Sequence, residues 1–190
     1  MAAINKNAVI NLIERWSGKG DEKSDTQTFW LELLHDICGV DRPVCELTLD
    51  ELRELRLCGT EERIPLFMEV LDLVAGKTPI ICELKTGKRN NELCEKTYEL
   101  IQFYEGDVCI ESFDPTIVAW FKSHAPELLR GQLAMPYGRY IDSGMKPIEG
   151  FVLSNTALNF LARPEFIAYR IGDKAPGARL AEALGAMKVG

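Results

Sequence analysis

The chain reads as an α/β protein of about four βα units, an incomplete (β/α)8 barrel with a helical segment at its amino end. Three observations carry that reading. The apolar run Pro79-Ile80-Ile81-Cys82 ends in Glu83-Leu84-Lys85. About thirty residues on, the length of one strand–helix–strand unit, a second run from Val108 to Glu111 ends in Ser112-Phe113-Asp114. Around these runs the apolar residues recur at helical spacing, so buried parallel strands alternate with helices. A closed barrel of this kind has eight strands and typically about 250 residues, and this chain offers about half of the strands.

In chain order, Val9, Ile10, Leu12, Ile13 and Trp16 mark a first amphipathic helix, broken at Gly18-Lys19-Gly20-Asp21-Glu22-Lys23. Ser24 or Asp25 can cap a second, which carries Phe29, Trp30, Leu33, Leu34 and Ile37 and ends at Gly39. Asp41-Arg42-Pro43 is a junction, so residues 1–42 form a helical segment and residues 44–190 a second region. Thr48-Leu49-Asp50-Glu51 is a capping box, in which Thr48 and Glu51 satisfy each other's backbone donors. Its helix runs to about Leu57 and stops at Gly59-Thr60. Pro65 opens a helix from Leu66 to Ala75, closed by Gly76. Strand Pro79–Leu84, helix Asn91–Tyr104, strand Val108–Phe113, helix Pro115–Lys122 and strand Leu128–Leu133 follow. Met135 to Gly150 reads as a loop around Pro136-Tyr137-Gly138. A helix near Thr156–Ala162, a fourth strand Phe166–Ile171 and a last helix Ala178–Met187 complete the series. A half-sheet of parallel strands leaves exposed edges.

Composition narrows the function classes. The chain is 46% hydrophobic and 27% charged, ordinary for a globular protein. Its formal net charge of −7 argues against a general nucleic-acid partner. Met1-Ala2-Ala3-Ile4-Asn5-Lys6 does not read as the start of a signal peptide, and no stretch has the length of a membrane span. The 6 cysteines form no C-x-x-C pair and there are 2 histidines, His35 and His124, which argues against zinc. Cys82 and Cys109 fall inside strands and read as small apolar side chains. A reduced, cytoplasmic protein is the simplest expectation.

Chemistry is expected at the carboxyl ends of the strands. Glu83 and Lys85, two residues apart on a strand, share one face. They set an anionic beside a cationic group where a phosphate substrate and a metal ion could meet. Glu111 shares a face with Cys109 and Phe113, and either lines the site or pairs with Lys85. Asp114-Pro115 is a helix start, with Asp114 as N-cap. His35, in Phe29-Trp30-Leu31-Glu32-Leu33-Leu34-His35-Asp36, has a helical context, and His124 reads as a helix-end cation.

The run Leu47-Thr48-Leu49-Asp50-Glu51-Leu52-Arg53-Glu54-Leu55, with Gly59-Thr60-Glu61-Glu62-Arg63-Ile64-Pro65, Glu83-Leu84-Lys85, Ser112-Phe113-Asp114-Pro115 and Arg130-Gly131-Gln132-Leu133, resembles the glycerophosphodiester phosphodiesterase family. The resemblance covers residues 44 to 190. It implies a TIM barrel that hydrolyses glycerophosphodiesters to glycerol 3-phosphate and an alcohol, using a divalent metal (calcium or magnesium) and a pair of histidines. On that resemblance Glu83 is a metal ligand, and Lys85 contacts the phosphate of a glycerophosphodiester-type small molecule. The family's His-Arg, Glu-x-Asp and His-Asp motifs belong before Leu47 and do not stand there. Its tryptophan-bearing late strand would begin at about Lys188-Val189-Gly190. The resemblance therefore implies a truncated member, with no catalytic pair and an inactive or impaired phosphodiesterase activity.

Residues 11–34, from Asn11-Leu12-Ile13-Glu14-Arg15-Trp16 to Phe29-Trp30-Leu31-Glu32-Leu33-Leu34, resemble the amino-terminal helical segment of restriction-modification DNA methyltransferases. That class's cofactor glycine motif and its Asn/Asp-Pro-Pro-aromatic motif are not in the sequence. Two alternatives therefore stand beside the phosphodiesterase. One is a non-catalytic fusion or assembly module, its half barrel completed in a homo-oligomer. The other is a remnant of a DNA-modification system.

Overall fold

The computed structural model describes residues 46–56, 60–142, 144–170, 176–183 and 185–189. The chain divides into two compact units, Met1–Leu66 and Phe67–Gly190. The helical segment expected over residues 1–42 lies outside the described residues.

In the first unit, helix α1 (Leu49–Glu54) is opened by the expected capping box. Thr48 N donates to Glu51 Oε2 at 2.7 Å, and Glu51 N donates to Thr48 Oγ1 at 3.3 Å. An isolated antiparallel bridge joins Arg56 to Arg63.

The second unit runs α2 (Phe67–Val74), β1 (Ile80–Glu83), α3 (Asn90–Ile101), β2 (Val108–Ser112), α4 (Pro115–His124) and β3 (Leu129–Leu133). It continues with α5 (Tyr137–Asp142), α6 (Pro147–Ser154), α7 (Asn159–Ala162), β4 (Phe166–Ala168), α8 (Pro176–Ala183) and β5 (Met187–Val189). Gly76, at φ 71°, closes α2 as the sequence predicts, and its N–H donates to Tyr104 Oη at 2.8 Å. Cys94, Thr97 and Ile101 fall on one stripe of α3 and are buried. No helix among the described residues is long and apolar enough to cross a membrane.

All five strands are parallel, and their spatial order is their chain order, β1-β2-β3-β4-β5. Such a sheet is singly wound; a doubly wound sheet reverses direction and takes helices on both faces. Here the strand period of two sorts the side chains. Ile80, Cys82, Leu84, Val108 and Ile110 pack with Phe67 and Leu71 of α2, Cys94 and Ile101 of α3, and Ile117 and Phe121 of α4. Ile167 and Tyr169 pack with Ala181 of α8, and register places Ile167 beside Gln132 and Ser112 on that same face. So α2, α3, α4 and α8 cover one face. The other carries Leu133, Phe166 and Ala168 with Cys109 and Phe113. Toward its amino edge Ile81 is 61% exposed and Leu129 50%. Gly131 makes room on this face: a Cβ there would overlap the Phe166 ring of the next strand.

Four expectations are corrected. The sheet has five strands rather than four. The last helix was expected to reach Met187 but ends at Ala183; Gly185, at φ 100°, breaks it, and Met187–Val189 pairs with β4. The segment Met135–Gly150, expected as a loop, contains α5 and the first turn of α6. Gly150 is there a packing residue, because an added Cβ would lie 3.2 Å from Tyr140 Cβ and Ile141 Cδ1. The helix expected over Thr156–Ala162 is the single turn α7, since Thr156 takes a left-handed φ of 49°.

β3 is tied to the entry of β4 by an ion pair between a buried arginine and a partly exposed glutamate. Arg130, 5% exposed, bonds Glu165 through its guanidinium, and Arg130 N donates to Glu165 Oε2 at 2.9 Å. The same guanidinium donates to Leu128 O at 2.9 Å and Pro126 O at 3.1 Å. Removing one partner of such a pair leaves an uncompensated charge. Glu165→Ala is expected to cost about 3 kcal/mol in urea unfolding, with the denaturant slope unchanged.

Candidate functional site

The carboxyl edge of the sheet is built where β1, β2 and β3 hand over to their following segments. Leu84 is buried in the helix-side core. Its neighbours Glu83 and Lys85 are therefore turned to the opposite face. Lys85 Nζ donates to Glu83 Oε1 at 2.5 Å, with Glu83 largely buried and Lys85 exposed. Glu111, half-buried, is the register partner of Glu83 on β2. The three residues singled out from sequence thus gather at one edge, two joined directly and one by strand register.

Behind them lies a polar ladder that sequence reasoning saw only in part. Ser112 Oγ donates to Leu84 O at 2.6 Å and accepts from Asp114 N at 3.0 Å, which closes β1 onto the end of β2. Gln132 Nε2 donates to Ser112 O at 3.0 Å and Phe113 O at 3.1 Å, which adds β3. Asp114 caps α4 as expected: Oδ1 accepts from Thr116 N at 2.9 Å and Thr116 Oγ1 at 2.7 Å. Its Oδ2 accepts from Thr86 Oγ1 at 2.7 Å and Asn90 Nδ2 at 2.9 Å. Thr86 and Asn90 were not picked out in advance, and Gln132 only within the Arg130-Gly131-Gln132-Leu133 run. The available signal was that Thr86 and Asn90 lie between a strand end and a helix start, where short polar side chains bond backbone groups.

Partial burial alone pushes the Asp114 carboxyl upward. The bonds from Thr116, Thr86 and Asn90 outweigh it and hold the group below its ordinary value of 3.8. The thiols behave oppositely. Desolvation pushes Cys82 up to about 11, with Cys109, Glu111 and Glu83 adding to the rise. Burial likewise pushes Cys94 up to about 11 and raises Cys109. All three are free and stay protonated near neutrality, so none is an activated nucleophile. They are the small apolar fillers the sequence suggests for Cys82 and Cys109.

His124 lies in the last turn of α4, its ring stacked on Trp120 at 4.2 Å and its Nδ1 2.9 Å from Trp120 O. A helix of 10 residues is about 15 Å long, so His124 sits far from the Asp114 cap. It is a helix-end residue, as expected. His35 lies outside the described residues.

A divalent metal has two carboxylates to meet here, Glu83 and Glu111. Among the described residues no group of three or more His, Cys, Asp or Glu converges. Calcium takes six to eight oxygens, whereas magnesium is held by one or two carboxylates with water and phosphate oxygens. Two carboxylates, one of them engaged by Lys85, fall short of a calcium cage.

No protein-family model and no curated protein matches the chain.

Asp114→Ala removes the α4 cap and both bonds to the β1–α3 segment, and is expected to cost about 2 kcal/mol by denaturant unfolding. A carboxyl held below its ordinary value stabilises fully above that value and less as pH falls through its folded one. The gap between wild type and variant should therefore be full at neutral pH and shrink below pH 3.8.

Proposed function

We propose that the carboxyl edge of this sheet is a phosphoester site of the glycerophosphodiester phosphodiesterase type, in a segment of a (β/α)8 barrel whose hydrolytic power is impaired. The observation that carries the reading is the placement of Glu83 and Lys85 together at a strand's carboxyl end, on the face free of α2, α3, α4 and α8. Three features support the barrel assignment: the singly wound order, the helices on one face and the strand-end chemistry. Free thiols at Cys82, Cys94 and Cys109 suit a cytoplasmic setting.

In this reading Lys85 supplies a point charge to a phosphate oxygen and exchanges Glu83 for the ligand. Glu83 and Glu111 would hold magnesium, which supplies charge neutralisation of the phosphodiester. Cleavage also needs a proton for the departing alkoxide. General acid–base groups contribute about 10²–10⁴-fold each. Among the described residues the one imidazole, His124, is at the far end of α4. Binding without efficient turnover follows.

The test is a titration of the purified chain with glycerol 3-phosphate and magnesium, alongside an assay for glycerol 3-phosphate release from a glycerophosphodiester. Saturable binding that weakens about tenfold or more in Lys85→Ala, with little turnover, is the expected result. Absence of binding rejects the site. Magnesium-dependent turnover that disappears in Glu83→Ala rejects the impairment while keeping the family.

A further inference from the structure

We infer that Asp114 is a positioning residue for the loop that carries Lys85: one carboxylate oxygen caps its own helix, and the other clips the β1–α3 loop to the end of β2. The phosphate part of this inference rests on the reading above; the clip itself does not.

Capping needs a single acceptor, and Oδ1 provides it through Thr116 N and Thr116 Oγ1. Both partners of Oδ2 come from another part of the chain, Thr86 lying 28 and Asn90 24 residues away. The clip reaches further into the loop, because Asn90 Oδ1 accepts the Gly87 N–H at 2.8 Å. Asp114 thus orients Asn90, and Asn90 holds Gly87. At the start of α3 the N-cap residue, Arg89, makes no side-chain cap bond. Lys85 leaves the same loop at its other end, one residue before Thr86, and its reach toward Glu83 depends on where that loop sits.

The chemistry of the side chain separates the two roles. Serine or asparagine caps a helix about as well as aspartate. An ionised carboxylate accepts at both oxygens, whereas an asparagine amide has one acceptor and one donor group. With its oxygen kept on Thr116, asparagine would present N–H groups to the donors of Thr86 and Asn90. A carboxylate whose oxygens are all engaged is also a poor direct partner for a phosphate, which it repels. Asp114 therefore acts through the loop and not by touching ligand.

The test is Asp114→Asn, with Thr86→Val as the second variant because it leaves the cap untouched. Amide hydrogen exchange is read at Gly87 and across α4, and inorganic phosphate and glycerol 3-phosphate are titrated by NMR. Gly87 exchange should rise about tenfold, the worth of one lost hydrogen bond, while α4 protection stays. Phosphate affinity should fall several-fold in both variants and recover in neither at higher magnesium. Unchanged Gly87 exchange in Thr86→Val overturns the clip. Faster exchange with unchanged phosphate affinity overturns the positioning role. If the wild-type chain binds neither probe, the phosphoester reading fails, and Gly87 exchange alone still decides the clip.

Discussion

Burial of one face of the parallel sheet against α2, α3 and α4 holds the rest of the second unit in place. Ile110, Phe121 and Cys94 have no solvent exposure, and Ile117 has 1%. Each large apolar side chain removed from water contributes roughly 1.5–3 kcal/mol, so this cluster outweighs any polar contact at the sheet edge. Its consequence for chemistry is geometric. Once Cys82 and Leu84 are committed to the core, the strand period of two leaves Glu83 and Lys85 nowhere to go but the other face. An ion pair exposed on its lysine side is worth little by itself. It does not place these residues; the core beneath them does.

The strand ends need more than apolar packing. A parallel sheet stops where its ladder stops, and the backbone groups beyond still require partners. Ser112, Gln132 and Asp114 meet that requirement with side chains, joining Leu84, Ser112 and Phe113 carbonyls and the start of α4 in one network. Networks of this kind rigidify what they connect. The edge at which a ligand would arrive is thus a tied seam between three strands, with the exposed lysine at its margin.

Much of this was legible beforehand because it is local. The Thr48/Glu51 capping box, the Asp114-Pro115 start of α4, the Gly76 stop and the apolar runs of β1 and β2 depend on residues within a few positions of one another. The misses have the opposite character. Gly150 reads as a turn residue until Tyr140 and Ile141 are seen against it. Met187 reads as a helix end until β4 supplies a strand to pair with. Thr86 and Asn90 look like loop filler until Asp114, 28 and 24 residues on, accepts from both.

By itself the sequence determined which segments are strands and helices through most of the second unit, and which face of β1 and β2 is apolar, because hydrophobic period and capping chemistry are written in neighbouring residues. It also determined that Glu83 and Lys85 share a face. Only the tertiary structure decided that five strands pair in chain order with α2, α3, α4 and α8 on one side. It alone joined Asp114 to the β1–α3 loop and Arg130 to Glu165. Those contacts bring together residues 24 to 35 positions apart, and no local pattern encodes a meeting that exists only once the strands are side by side.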